Sequence, residues 1–346
     1  MELEGQPENA TPGSDGADLA GAQDIAIGVV LWLMSLFGAA GNCLTILAII
    51  TDRQLRSQSS SYLIVNLAVA DMVVFVVIEP FLAFGTATRT WPFSTPFCAS
   101  LGVLVNQHMV VSVCSMTAIA VNRYYSVVRR TSYHRVFTGP RTLIMCLATW
   151  LLGSALFLPL VASPFYANYS AYYGVCVVTS QDTKLGKAVI TLIALNIVVN
   201  IVISSVCYLQ IYREVRKSRL RVMPQVPLPG SDGQPSEDQP ASNGSNQKNG
   251  VPARMAIAKQ QIHRADVAIS INLFIVFAVF CICWTPLAIF IFIQTSVSVQ
   301  LIPGSVWQTA YKLVLFNSTL NIFIYAWKNR KLRSAYIKLL RCQRRT

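Results

Sequence analysis

Charge is what this sequence has least of. Only 12% of its 346 residues are Asp, Glu, Lys or Arg, while 53% are hydrophobic; an ordinary soluble domain carries about 25% charged residues. So few charges cannot cover a water-exposed surface, and most of the chain is expected to face lipid. The first 23 residues have no Lys or Arg, though they hold Glu2, Glu4, Glu8, Asp15 and Asp18. A cleaved signal peptide would need a basic start followed by an apolar stretch, and that pattern is missing. Also missing are a phosphate-binding glycine loop and a nucleophile elbow, and the three histidines (His108, His134, His263) are scattered. An enzyme is therefore not expected. Nor are there internal repeats with paired broken helices, which a transporter or channel would predict.

What charge there is has a pattern. The net charge is +13, which on one solvated face beside aromatics would suggest nucleic acid. Here the basic residues fall instead between apolar runs and at the C-terminus, so no nucleic-acid partner is expected. Runs long enough to span a bilayer lie near 25–50, 61–86, 97–122, 142–162, 185–210, 267–294 and 306–327. Of the 28 Lys and Arg, all but Arg89, Lys184, Lys187 and Lys312 belong to alternate linkers or the tail. Basic residues are retained on the cytoplasmic side, which predicts an extracellular N-terminus and a cytoplasmic C-terminus.

The expected organisation is an extracellular tail over 1–23, a helical bundle over 24–327 and a cytoplasmic segment over 328–346. The loop 213–264 contains a stretch, 222–254, rich in Pro, Gly, Ser, Asn and Gln; it cannot bury a core and reads as disordered. The sequons at Asn9 and Asn168 would be usable on the outer side, whereas those at Asn243 and Asn317 would not. After the last run, apolar residues at 332, 335, 336, 339 and 340 have helical spacing with a basic face, suiting a short amphipathic helix on the inner leaflet. Cys342 at its end is either palmitoylated or a plain juxtamembrane thiol. The fold class is thus all-α, a seven-transmembrane bundle with a short eighth helix.

Topology sorts the nine cysteines. Most sit within or near the bilayer, and only Cys98 and Cys176 reach the oxidising side, which predicts one disulfide between them. Cys281 and Cys283 lack a nearby His, so packing explains them better than metal.

Polar residues inside apolar runs mark function. Asp71 faces either a cation such as sodium or a water network, or it is a protonated link between helices; Asn42, Ser112, Asn317, Ser318 and Asn321 are its candidate neighbours. Glu79, just before Pro80, meets a ligand, Lys312 or a water-filled cavity. Pro286 after Trp284-Thr285 would kink the sixth run, though Pro is common in membrane helices. Arg123 ends the third run, where a charge is costly and needs compensation.

Taken together these residues resemble the rhodopsin-like family of G-protein-coupled receptors along nearly the whole chain. The motifs are Gly41-Asn42, Leu67-Ala68-Val69-Ala70-Asp71, Cys98 with Asn122-Arg123-Tyr124, Trp150, Tyr208, Cys283-Trp284-Thr285-Pro286, and Asn321 with Tyr325. Within the family they look most like the melatonin-receptor branch and its orphan and invertebrate relatives. The resemblance implies that Arg123 is held at the cytoplasmic side when inactive and then contacts a heterotrimeric G protein, with Tyr208 and Tyr325 swinging towards it. It also implies a sodium-sensitive site at Asp71, Ser112, Asn317, Ser318 and Asn321, no other cofactor, and arrestin and a receptor kinase as further partners. A ligand pocket would include Glu79, Val105, Asn106, Met109, Trp284 and Tyr311, with Trp284 moving under the ligand.

The departures are informative. The usual acid before the arginine is Asn122, and Asp266 is placed to restrain Arg123 instead. The usual prolines are replaced by Ile322 and Asn200, which leaves the helix bends there open. Val105 stands where aminergic receptors carry Asp, so a monoamine is not expected. Leu315 stands where opsins carry their retinal lysine, leaving at most a light-insensitive opsin relative as an alternative reading. Leu160, Val178 and Ser180 replace the Asn, Phe and Gln that melatonin receptors place in their pocket.

Overall fold

The computed structural model describes residues 14–161, 167–170, 174–178, 184–222, 274–275, 277–293 and 302–341. It is a seven-helix bundle. The first span is α1 (Ser14–Thr51), followed by a one-turn helix α2 (Arg53–Arg56). The second span consists of α3 (Ser59–Val73), a π-helical turn (Val74–Ile78) and α4 (Glu79–Thr88). The third is α5 (Thr95–Val127), joined by the short α6 (Arg130–Val136) to the fourth, α7 (Gly139–Val161). A hairpin of β1 (Ala167–Ser170) and β2 (Val175–Val178) precedes the fifth span, α8 (Lys184–Val222). The sixth span is α9 (Phe277–Ile293), the seventh α10 (Gly304–Lys328), and α11 (Arg330–Leu340) follows.

Two boundaries differ from the sequence reading. The first helix begins at Ser14, within the segment expected to be a tail, because Ala, Leu and Gln there are compatible with helix and nothing stops it. Likewise α8 continues to Val222, so residues 213–222 are helix rather than loop.

The bundle inverts the soluble pattern. Phe37, Leu151 and Phe292 are each at least two-thirds exposed, whereas Asn42, Asp71, Ser112, Asn122, Asn317, Ser318 and Asn321 are buried. Apolar side chains therefore face lipid, and the polar residues that interrupt the second, third and seventh runs face inward.

The π turn has a chemical cause. Pro80 carries no N–H, so a proline two residues into α4 disturbs the ladder beneath it. The Glu79 N–H bonds to the Val74 carbonyl, five residues back. The Phe75 carbonyl, whose partner five residues on would be Pro80, instead accepts from the Ser35 hydroxyl of α1. Beside it, Gly38 leaves room for the buried Phe75 ring.

At one end of the bundle, a disulfide ties Cys98 at the start of α5 to Cys176 in β2, with a Cα–Cα distance of 5.4 Å. The hairpin it anchors pairs Tyr169 with Cys176. Tyr169 stacks on Trp91 at 5.4 Å and donates to the Gly85 carbonyl at 2.8 Å. Burial first, then the Asp24 charge, pushes its phenol pKa upward. Arg89, which ends α4 with a left-handed backbone, pairs with Asp24 of α1.

At the opposite end, Asn329 caps α11 by accepting from the Leu332 N–H. Leu332, Ala335 and Tyr336 bury the apolar face of α11, while Leu340 stays exposed. The Tyr336 hydroxyl lies 2.8 Å from the Thr45 hydroxyl of α1, and burial pushes the Tyr336 phenol up to about 12 despite that bond.

Replacing Gly38 with Val would force side-chain atoms into the Phe75 ring, which is only 1% exposed and cannot retreat. Overpacking of this kind costs about 1–3 kcal/mol. The purified variant is expected to melt at a lower temperature than wild type; an unchanged melting curve would contradict this packing.

Candidate functional site

Three groups of polar or aromatic residues lie along the interior. The first surrounds Asp71 on α3, which is fully buried. Ser318 donates to one carboxylate oxygen at 2.7 Å and Asn321 donates to the other at 3.3 Å, both from α10. Asn42 does not join them, because its amide donates to the Gly38 carbonyl of its own helix. Ser112 Oγ and both amide atoms of Asn317 are buried with no hydrogen-bond partner among the described residues, as is His108 Nδ1. Buried polar atoms left open in this way are uncommon and call for water or an ion. Oxygen donors from Asp71, Ser112, Asn317 and Ser318 suit a hard cation.

The second group closes the end opposite the disulfide. Arg123 is only 4% exposed. Its Nη2 donates to Asn122 Oδ1 at 2.5 Å, so the residue in the acid's usual place still serves as a partner, through a neutral acceptor. Asn122 in turn donates to the Tyr133 hydroxyl of α6 at 3.4 Å, and that hydroxyl lies 2.9 Å from Ser59 Oγ. Tyr124 accepts from Arg129 Nε at 3.2 Å. Tyr208 on α8 is buried, stacked on Phe277 at 5.2 Å and edge-on to Phe274 at 5.4 Å. Tyr325 is carried by α10, and Asp266 lies outside the described residues.

Towards the disulfide end, Trp284 is buried and stacked on Phe280 at 5.2 Å. Val105 and Met109 of α5 are buried. Asn106 is half-buried, with its amide spent on the Gly102 carbonyl at 2.7 Å. Tyr311 is half-buried on α10. Glu79 is completely buried. Lys312 does not pair with it, because its Nζ reaches Gln308 Oε1 at 3.5 Å. Among the modification sites, Asn168 is in β1 opposite Val177, and Asn9 and Cys342 lie outside the described residues.

The replaced prolines leave their helices unbroken. α10 runs through Ile322, whose side chain packs where a Cβ on Gly41 would sit, 2.6 Å from Ile322 Cδ1. α8 runs through Asn200, whose carbonyl accepts from Thr117 Oγ1 at 3.2 Å; Thr117 also bonds Ser204 at 3.1 Å.

One junction escapes sequence reasoning altogether. Asn66 donates to Ser115 at 2.8 Å and Thr149 at 3.3 Å, and accepts from Trp150 Nε1 at 2.9 Å. It links α3, α5 and α7. The paired polar positions on three different spans were the only available signal, and nothing in one chain says that they meet.

The pattern of the 7 transmembrane receptor (rhodopsin family) matches residues 41–325. Among known proteins, the human melatonin receptor type 1B is 26% identical over 91% of this chain and 78% of its own length. The zebrafish (Danio rerio) melatonin receptor type 1B-B is 25% identical over 90% and 80%, and the chicken (Gallus gallus) type 1C receptor 27% identical over 91% and 81%.

Substituting Asn66 with Ala removes the acceptor of Trp150 Nε1, while the Ser115 and Thr149 hydroxyls keep their bonds to the Val111 and Cys146 carbonyls. A buried polar group left unsatisfied costs about 1–3 kcal/mol. A clear drop in the melting temperature of the purified protein is expected, and wild-type stability would show the junction to be dispensable.

Proposed function

Because the chain belongs to the rhodopsin family of seven-transmembrane receptors, we propose that it couples an extracellular ligand to heterotrimeric G proteins across the plasma membrane. Its N-terminus is extracellular and its C-terminus cytoplasmic, with arrestin and a receptor kinase as further cytoplasmic partners. Asn9 and Asn168 then lie on the side where glycosylation occurs, and Cys342 lies beside the inner leaflet, where it can be palmitoylated.

The observation that carries this reading is the closed end around Arg123. We read the buried guanidinium held by Asn122, which bonds Tyr133 and through it Ser59, as a switch in its restrained state. A neutral acceptor holds an arginine less strongly than a carboxylate does, so we assign the remaining restraint to Asp266. Activation would open this end, with Tyr208 and Tyr325 moving towards Arg123, and a ligand that binds the open form better shifts the population towards it. Trp284 forms the floor of the ligand pocket, with Glu79, Val105, Asn106, Met109 and Tyr311 around it. Val105 offers no counter-charge from α5, and Leu160, Val178 and Ser180 offer none of the groups that melatonin receptors use. The natural ligand is therefore neither a monoamine held from the third span nor melatonin held in that manner.

We further propose a sodium ion at Asp71, with Ser112, Asn317, Ser318 and Asn321. The ion would supply positive charge to a buried carboxylate. In its neighbourhood Ser318 and Asn321 hold the two oxygens and tie α3 to α10.

Nucleotide exchange on purified G proteins tests the switch. Arg123→Ala should lose exchange while remaining folded, and full exchange would contradict its role. In the same assay Asp266→Asn should raise ligand-free exchange, and an unchanged basal rate would remove Asp266 from the restraint. Sodium should raise the melting temperature of wild type more than potassium does, and Asp71→Asn should abolish that difference; equal responses to both ions would dismiss the sodium site.

A further inference from the structure

Glu79 is the buried group that the switch does not use. It is 0% exposed, and both of its carboxylate oxygens lack a hydrogen-bond partner among the described residues. No cation described in the structure answers it: Arg89 pairs with Asp24, and the Lys312 Nζ reaches Gln308. A lone carboxylate in a bilayer-spanning bundle is among the costliest groups a fold can carry. Protonation alone does not cure this, because a neutral acid still leaves one donor and one acceptor unanswered.

The backbone puts Glu79 there by construction. The π turn at Val74–Ile78 inserts a residue into the second span, and Pro80 and Ser35 hold that insertion in place. π turns of this kind occur frequently at functional sites. Beyond the turn, Glu79 shares one buried face of α4 with Leu82, Ala83 and Thr86. That face lies towards the disulfide end, about 12 Å along the helix from Asp71 at 1.5 Å per residue, so it is separate from the polar centre below.

We propose that Glu79 is the anchor for a positively charged group of the ligand, a primary ammonium or a guanidinium. Two open oxygens match a donor with more than one N–H, and a guanidinium engages both at once. A hydroxyl would answer only one oxygen and none of the charge. The recognition element thus lies on the second span, where a carboxylate on α5 would otherwise be sought and Val105 stands. The inference rests on the receptor reading and names the chemistry of its ligand.

The test uses the full chain in lipid nanodiscs, with phenethylamine, agmatine and spermidine as probes and phenethyl alcohol as the uncharged match. At least one cation should raise the melting temperature of wild type while the alcohol does not, and Glu79→Gln should weaken that response at least about tenfold, as loss of a buried charge partner does. Ligand-free Glu79→Gln should melt no lower than wild type, since an unpaired charge has been removed. The proposal is overturned if no cation stabilises wild type, if Glu79→Gln responds equally, or if the ligand-free variant melts lower, which would reveal a structural partner. Basal nucleotide exchange by wild type is scored separately. Exchange without a Glu79-dependent cation response sinks this inference alone, and a cation response without exchange sinks the receptor reading instead.

Discussion

Polar groups sunk in a bilayer-spanning bundle have no bulk water to bond, so each must be answered from another helix or from a bound species. Asp71 is where that constraint is tightest. Its two oxygens draw in Ser318 and Asn321 from the far end of the chain, which fixes α10 against α3. Ser112, Asn317 and His108 add further buried polar atoms with no hydrogen-bond partner among the described residues. Asn66 does the same for α3, α5 and α7, and Asn122 for α5 and α6. The lipid-facing side chains provide no comparable specificity, since one apolar contact with lipid is much like another. The arrangement of the helices follows from where the polar residues must meet.

Much of this was legible in the sequence, and for a physical reason. A hydrocarbon slab imposes length and apolarity on every crossing, so runs such as 142–162 and 185–210 announce themselves. The same slab makes Asp71, Glu79 and Arg123 conspicuous, because a charge in such a run needs a purpose. The Cys98–Cys176 bond followed from which cysteines could meet an oxidant. What stayed hidden were pairings between helices. That Asn42 turns back to its own helix while Asn321 reaches Asp71 depends on rotation of each helix about its axis. One-dimensional spacing does not contain that rotation. The extra turns at Ser14 and Val222 also went unread, although Pro12 and Gly13 just before the first and Pro224 just after the second mark where those helices end.

The end around Arg123 is built from hydrogen bonds between neutral and charged groups. Asn122 offers Arg123 a neutral acceptor at 2.5 Å. Tyr133 then links Asn122 of α5 to Ser59 at the start of α3. At the same end Tyr336 and Thr45 couple α11 to α1 in a similar way. Hydroxyl contacts thus help join α6 and α11 to the spans, in α11 alongside the buried face of Leu332, Ala335 and Tyr336.

The π turn at Val74–Ile78 has a consequence for comparing this chain with others. Each residue of an α-helix turns the next by about 100°, so one extra residue rotates everything beyond it by more than a quarter turn. A relative lacking the bulge would present a different set of side chains to the interior from Glu79 onward. Residue-by-residue alignment through this span would then match inward positions with lipid-facing ones. Across this one helix, equivalence has to be judged by which way a residue faces rather than by its place in the count.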